Sequence, residues 1–301
     1  MSDQWIARLR RSCPDVELRE AEPMSRHVSF RIGGPAAAMV FPDREEQLGR
    51  ILRFCREESL EPLILGAGTN VLPPDAGLEI PVVCLMGGLT TLRRLEGNQV
   101  EAGAGVTMAR AAAFACEQGL SGLEFAHGIP GTVGGGVFMN AGAYGGEIRL
   151  TAAETAVMER DGTVRTVRGA AQGFGYRTSA FQTQGCVILR TVFSLRPDDP
   201  AAIRKRMEEL AQKRRASQPL NLPSAGSTFK RPRCGYAAAL IDAAGLKGLR
   251  VGGASVSTKH AGFVVNSGGA TCADVLALME EIQQKVFAHS GVQLEPEVRI
   301  L

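Results

Sequence analysis

Residues 122–148 read GLEFAHGIPGTVGGGVFMNAGAYGGEI, and Gly128, Gly131, Gly134, Gly135, Gly136, Gly142, Gly145 and Gly146 all fall within this stretch. Glycine loses more conformational freedom on ordering than any other residue, so such density needs a reason. Backbone lying against a flat or phosphorylated ligand is one reason. Tight turns and close strand packing are another, and for any single cluster the sequence leaves both open. A further cluster, GAGTNVLPPDAG (66–77), follows an apolar run at 62–65 that reads as a short buried strand. Exposed N–H groups in such a loop can cradle an anion, and Thr69 and Asn70 add side-chain donors. Neither G-x-G-x-x-G nor G-x-x-x-x-G-K-[ST] occurs, which disfavours a Rossmann or Walker site.

Outward from these clusters, helices and strands mix without regular alternation, which predicts an α+β fold. Residues 44–58 form a helical pattern, with Asp43 as the expected N-cap and Leu48, Ile51, Leu52 and Cys55 as the apolar stripe. Residues 81–85, 99–105 and 186–195 read as strands, and 107–118 as an alanine-rich helix ended by Gly119. Residues 155–167 read as a hairpin closed by a two-residue Asp161-Gly162 turn. After Leu195 come a turn-rich break, a charged helix over 201–217 and a proline-bearing link. Residues 271–290 carry the clearest helical pattern, with Thr271 as cap, Asp274 three positions on, and Gly291 as the stop. These signals divide the chain into an N-terminal helical segment (1–26), a domain over 27–195, a linker with the charged helix (196–226) and a smaller domain over 227–301.

The 301 residues are 45 % apolar and 22 % charged, the balance of a globular protein with a full core. A formal charge of +3, without a basic stripe interleaved with aromatics, argues against a nucleic-acid partner. The seven cysteines and four histidines are scattered, so neither a metal site nor a disulfide framework is expected. The N-terminal MSDQWIARLRRS has no continuous apolar core and no run approaches the ~18 residues that span a bilayer. A soluble, cytoplasmic protein is expected. Three further segments carry chemistry-bearing residues: SAGSTFKRP (224–232), with Ser227, Lys230 and Arg231; STKHAGFVVN (257–266), with Lys259 and His260; and LEPEVRIL (294–301), with Glu295 and Glu297. Taken singly, each has a plain structural explanation as a cap or a solvated charge.

Taken together, GAGTNVL, the 122–147 glycine motif, FGYRTSAF (174–181), SAGSTFKRP, GLKGLRVGGASVSTKHAGFVVN (245–266) and LEPEVRI resemble, in order, the UDP-N-acetylenolpyruvoylglucosamine reductase (MurB) family. HVSFRIGGPA (27–36) resembles its entry motif, so the resemblance runs over nearly the whole chain. It implies a two-part FAD-binding domain of the vanillyl-alcohol-oxidase (PCMH) type, followed by a smaller α+β substrate-binding domain. It implies non-covalent FAD, NADPH as hydride donor, and reduction of UDP-N-acetylglucosamine enolpyruvate to UDP-N-acetylmuramate for peptidoglycan synthesis, with the attendant links to cell shape and division. The implied catalytic residues are Arg177, Ser227 and Glu297. The implied FAD contacts are Gly66, Ala67, Gly68, Thr69, Asn70, Val71, Gly128, Ile129, Pro130, Gly131, Gly134, Gly135, Asn140, Ala141 and Gly142. Tyr176, Lys230, Arg231, Lys247 and Lys259 are the implied substrate contacts.

The chemistry explains the residue types. Hydride addition to the enolpyruvyl C3 puts negative charge at C2 and on the adjoining carboxylate, which fixed donors must meet. Arg177 offers a permanent cation. Ser227 matches the family's proton donor to C2, and Glu297 its catalytic glutamate. Two features depart from the other familiar forms of the family. No tyrosine lies between Arg177 and Ser227, so the chain resembles the shorter class that lacks an inserted tyrosine loop. Arg231 stands where FKNP is the other familiar form. His127 lies inside the flavin motif; some relatives of the fold attach FAD through histidine, but the family does not. A monomer is expected. The competing readings are another FAD-dependent oxidase of the same fold and a non-catalytic flavin or nucleotide-sugar binding protein.

Overall fold

The computed structural model describes residues 2–301. The chain divides into two compact units, and the division does not follow chain order. The first holds residues 2–21, 37–67 and 79–213; the second holds 22–36, 68–78 and 214–301. The sequence boundaries at 26, 195 and 226 assumed contiguous pieces. They differ from this division because two N-terminal segments are hydrogen-bonded to the C-terminal one, as described below.

Two helices open the first unit. The N-terminal α1 (Ser2–Ser12) buries Trp5, Ile6 and Leu9 and packs against α2 (Glu45–Glu57). The α2 stripe is as expected, with Leu48, Ile51, Leu52 and Cys55 all buried. Its N-cap is Arg44 rather than Asp43. Asp43 lies one residue earlier, where its own N–H donates to Gln47 Oε1 at 2.8 Å. A four-stranded sheet runs in the order Glu17–Pro23, Pro35–Phe41, Leu78–Cys84, Leu63–Leu65, the last pair being parallel. A five-stranded antiparallel sheet runs in the order Val164–Arg168, Ala152–Met158, Val187–Ser194, Gln99–Gly103, Leu92–Arg94.

The hairpin between Ala152–Met158 and Val164–Arg168 forms as expected, but its loop has three residues. Glu159 N–H donates to the Thr163 carbonyl at 2.8 Å and Gly162 stands at φ +84°. That is the three-residue loop with a left-handed third residue, which Asp-Gly serves as readily as the two-residue turn. The alanine-rich α3 (Met108–Glu117) is capped by Thr107, whose side chain accepts from Arg110 N. The short α4 (Val133–Phe138) begins at the second glycine cluster, and Thr132 caps it. The charged α5 (Pro200–Ser217) buries Ile203 and Met207.

The second unit is built around α7 (Cys272–Ser290), with the shorter α6 (Ala237–Ala243) against it. A three-stranded antiparallel sheet runs Arg250–Val251, Ala254–Val256, Val264–Asn266. The expected cap of α7 is complete: Thr271 and Asp274 form a reciprocal capping box, and Gly291 ends the helix at φ +69°. The stripe Val275, Leu278, Met279, Ile282 and Val286 is buried. Asp75 adds a second carboxylate at this N-terminus, accepting from Cys272 N at 2.7 Å and Ala273 N at 3.0 Å. Val71–Leu72 pairs in parallel with Arg299–Ile300, and Ser29 Oγ donates to the Ser224 carbonyl at 2.6 Å. These bonds are why residues 22–36 and 68–78 group with the C-terminal part.

No helix among the described residues is long and apolar enough to cross a membrane. No cluster of metal-ligating side chains occurs among them either, and the seven cysteines are free thiols.

Candidate functional site

In the first unit, FGYRTSAF folds as a tight turn. Gly175 and Thr178 exchange backbone hydrogen bonds of 3.0 and 3.3 Å, leaving Tyr176 and Arg177 at the tip. Arg177 sits at φ +56°, a region in which an L-residue other than Gly, Asn or Asp is strained by about 1–3 kcal/mol. Asn140 (+42°) and Tyr144 (+53°) share this conformation, so three of the seven such non-glycine residues among the described ones lie in the glycine motif and the arginine turn. Strain of this kind persists only where neighbours hold it.

The neighbours are identifiable. The Arg177 guanidinium donates through Nη1 to the Gly142 carbonyl at 3.3 Å, and its Cζ lies 5.4 Å from the Tyr176 ring centroid. Gln182 Nε2 donates to the Arg177 carbonyl at 3.1 Å and to that of Phe138 at 2.9 Å. Buried Ser179 donates to the same Phe138 carbonyl at 2.7 Å. Asn140 is 1 % exposed, and its amide joins the turn to the glycine motif. Glu147, Ser179 and Gln182 escape sequence reasoning. Their signal is faint: Glu147 and Ser179 are polar residues inside two motifs and Gln182 follows one of them.

The glycines sort by cause. A Cβ at Gly66 would lie 2.5 Å from Thr132 Oγ1, and one at Gly146 2.5 Å from the Phe125 ring, so close packing requires glycine at both. At Gly135 the nearest atom would be Thr132 Oγ1 at 3.7 Å, and no protein neighbour forbids a side chain. The N–H groups that open α4 are also taken: Val133 donates to Val106 O at 2.8 Å and Gly134 to Ala104 O at 3.0 Å. Those of Gly66, Gly128 and Gly131 meet no backbone acceptor among the described residues. Beside them the Nδ1 of His127 is buried without a hydrogen-bond partner. An orphaned buried polar atom costs about 1–3 kcal/mol. Unclaimed donors, an open glycine position and an orphaned imidazole nitrogen together fit a bound flavin nucleotide.

In the second unit, SAGSTFKRP runs antiparallel to the chain end. Glu297 N–H donates to Thr228 O and Lys230 N–H to Glu295 O, both at 2.8 Å, around a Phe229–Pro296 bridge. Ser227 therefore directly precedes Thr228, the residue that pairs with Glu297. Buried Thr228 anchors the ladder, its Oγ1 accepting from Val264 N at 3.0 Å. Asn70 joins the same edge: its Nδ2 donates to the Glu297 carbonyl at 3.2 Å, and its own carbonyl accepts from Arg299 N at 3.0 Å.

The basic residues of this unit do not converge on one protein partner. Lys230 pairs with Glu295 at 3.4 Å and Lys247 with Asp242 at 2.7 Å, while Lys259 Nζ donates to the Arg215 carbonyl at 2.6 Å. The Arg231 guanidinium stacks over the Tyr236 ring at 4.1 Å. Burial, with the charge of Lys247 adding to it, pushes the pKa of His260 below its ordinary value. Its Nδ1 accepts from Gly262 N at 3.2 Å, which suits the neutral ring. The expected site residues thus fall into two sets. Gly66, Ala67, the 128–142 residues, Tyr176 and Arg177 belong to the first unit. Residues 68–71, Ser227, Lys230, Arg231, Lys247, Lys259 and Glu297 belong to the second.

The fold and its glycine-lined segments define a flavin-binding protein of two parts: residues 36–168 match an FAD binding domain, and residues 218–301 match the UDP-N-acetylenolpyruvoylglucosamine reductase C-terminal domain. A UDP-N-acetylenolpyruvoylglucosamine reductase of Limosilactobacillus fermentum is 42 % identical over 288 residues, covering 96 % of this chain and 95 % of its own. One from Caldanaerobacter subterraneus is 42 % identical over 303 residues, covering 100 % and 99 %. The crystal structure of UDP-N-acetylenolpyruvylglucosamine reductase (MurB) from Thermus caldophilus superposes with a TM-score of 0.81 at 34 % identity, covering 95 % of this chain and 98 % of that one. This chain belongs to the UDP-N-acetylenolpyruvoylglucosamine reductase family. It is an FAD-containing oxidoreductase, and the expected order of an FAD-binding domain followed by a C-terminal α+β domain stands.

Proposed function

We propose that this protein reduces UDP-N-acetylglucosamine enolpyruvate to UDP-N-acetylmuramate in peptidoglycan precursor synthesis, with FAD held non-covalently and NADPH as donor. The observation that carries the reading is the backbone pairing of Thr228 with Glu297, which brings the segment of the proton-donor candidate beside that of the carboxylate candidate. A water-soluble nucleotide sugar as substrate suits a cytoplasmic, monomeric enzyme whose product serves wall growth, cell shape and division.

FAD would supply two-electron hydride chemistry between NADPH and the enolpyruvyl C3; in the first unit Gly66, Ala67 and the backbone of residues 128–142 would hold it, and in the second unit residues 68–71 are the candidates. The residues of the chain manage the charge and the proton. Negative charge develops at C2 and the adjoining carboxylate, and Arg177 meets it as a permanent cation held in a fixed turn. Ser227 delivers a proton from Oγ to C2. A hydroxyl is a weak acid, so it serves only against a strongly basic carbon and its proton must be restored, by water or by Lys230. Glu297, paired through its backbone to Thr228, polarises the enolate. Lys247 and Lys259 suit a diphosphate, and Tyr176 and Arg231 complete the substrate contacts.

The test is anaerobic flavin spectroscopy in one cuvette. Flavin bands that bleach with NADPH and return with UDP-N-acetylglucosamine enolpyruvate establish the reaction. Bands that ignore NADPH, or bleach and ignore the substrate, overturn it in favour of an oxidase. Protein that takes up no flavin overturns it in favour of a binding protein.

A further inference from the structure

We propose that Asn140 is a positioning residue for Arg177, setting the guanidinium by anchoring the turn that carries it; this rests on the role given to Arg177 above. Every polar atom of the Asn140 side chain is engaged within the first unit. Its Nδ2 donates to the Gly175 carbonyl at 2.8 Å and to Glu147 Oε2 at 2.9 Å, and its Oδ1 accepts from Arg149 N at 2.9 Å. Gly175 is the residue that closes the Tyr176-Arg177 turn. Glu147 pairs in register with Gly142, whose carbonyl receives the Arg177 guanidinium. One buried amide therefore fixes both the backbone from which Arg177 projects and the hairpin on which its head group rests. The remaining Glu147 oxygen takes the Arg149 guanidinium. Asn140 was expected to contact FAD. With both amide donors taken by the protein, its side chain acts on the arginine turn instead.

Residue type and conformation agree. Position 140 stands at φ +42°, which asparagine, aspartate and glycine tolerate best. Only asparagine also supplies two donors and an acceptor in one short side chain. An aspartate there would set a carboxylate against Glu147 and the Gly175 carbonyl, and two carboxylates sharing a site raise the pKa of one of them. Acidification would then restore a donor.

The experiment compares Asn140→Asp, Asn140→Gly and Arg177→Lys holoenzymes with wild type. Expected for Asn140→Asp is normal FAD content, NADPH half-reaction within about twofold, and reoxidation by saturating UDP-N-acetylglucosamine enolpyruvate slowed by about 100-fold, the scale of a 1 Å misplacement. Reoxidation recovers on acidification in Asn140→Asp alone. Asn140→Gly, which keeps the backbone preference without adding charge, shows the same split with no recovery. Trypsin cleavage after Arg177 reports the turn independently of chemistry, and both Asn140 variants are cleaved faster at neutral pH. Equal losses in the two half-reactions together with lost FAD would overturn the proposal in favour of a cofactor-binding role. So would wild-type reoxidation and cleavage in both Asn140 variants while Arg177→Lys is slow. Faster cleavage with normal reoxidation in all three variants would refute the catalytic reading of Arg177 and leave Asn140 as the anchor of its turn.

Discussion

Glu297 donates its backbone N–H to the carbonyl of Thr228 at 2.8 Å, across 69 positions of sequence. The bond ties Glu297 to the residue next to Ser227, so two segments far apart in the chain run side by side. Asn70 donates to the carbonyl of Glu297 itself at 3.2 Å, so the glutamate's backbone is held from both sides.

Ser227→Ala should separate the half-reactions. Flavin reduction by NADPH is expected to stay within about twofold. Reoxidation by enolpyruvyl substrate is expected to fall by about 10²–10⁴, the usual contribution of a positioned acid. Stopped-flow absorbance of the two steps measures the split, and equal loss in both would remove Ser227 from the proton transfer.

Glu297→Gln keeps the size of the side chain and leaves its backbone bonds untouched. Turnover is expected to fall by at least about 100-fold with substrate affinity nearly unchanged, the pattern of an interaction made mainly in the transition state. Titration of the flavin spectrum with substrate gives the affinity separately. A loss confined to affinity would make Glu297 a binding group.

Gly66→Ala places a Cβ 2.5 Å from Thr132 Oγ1, the cap of α4. Disturbing that cap should cost about 1 kcal/mol and lower Tm by a few degrees, with reduced FAD content. Differential scanning fluorimetry and the 450 nm band of the purified protein check it.

His260 titrates lower in the fold than its ordinary 6.5, through burial above all, which with the charge of Lys247 outweighs a backbone hydrogen bond that opposes the shift. The unfolded chain binds the proton more readily, so stability from this group is present above about pH 6.5 and is lost as pH falls from there toward the folded pKa. Urea midpoints between pH 7.5 and 5 should decline in wild type and decline less in His260→Gln. Parallel declines would assign the pH dependence elsewhere.

Much of the local structure is legible from neighbouring residues. The α7 cap, stripe and stop all lie within one helix and its flanks, where spacing alone sets the physics. The 155–167 hairpin was legible too, but its loop length was not, because Asp-Gly suits both turn types and the strand register chooses. At α2 the cap falls one residue later, at Arg44, and the Asp43 N–H donates to Gln47 Oε1, a contact that no capping rule announces. The glycine clusters were ambiguous for the same reason. Packing requires glycine at Gly66 and Gly146 but not at Gly135, and only the neighbours reveal the difference.

By itself the sequence determined the α+β class, the helices whose apolar stripes and caps lie close together in the chain, and the family, through motifs that run in order from residue 27 to 300. The tertiary structure alone decided that residues 22–36 and 68–78 group with the C-terminal unit, that Thr228, next to Ser227, pairs with Glu297, and that Asn140 is bonded to the Arg177 turn. The physical reason is one of range. Caps and stripes are set by contacts within about one helical turn, whereas Asn70 and Glu297 meet across 227 positions through a backbone carbonyl, which every residue carries and no pattern of side chains announces.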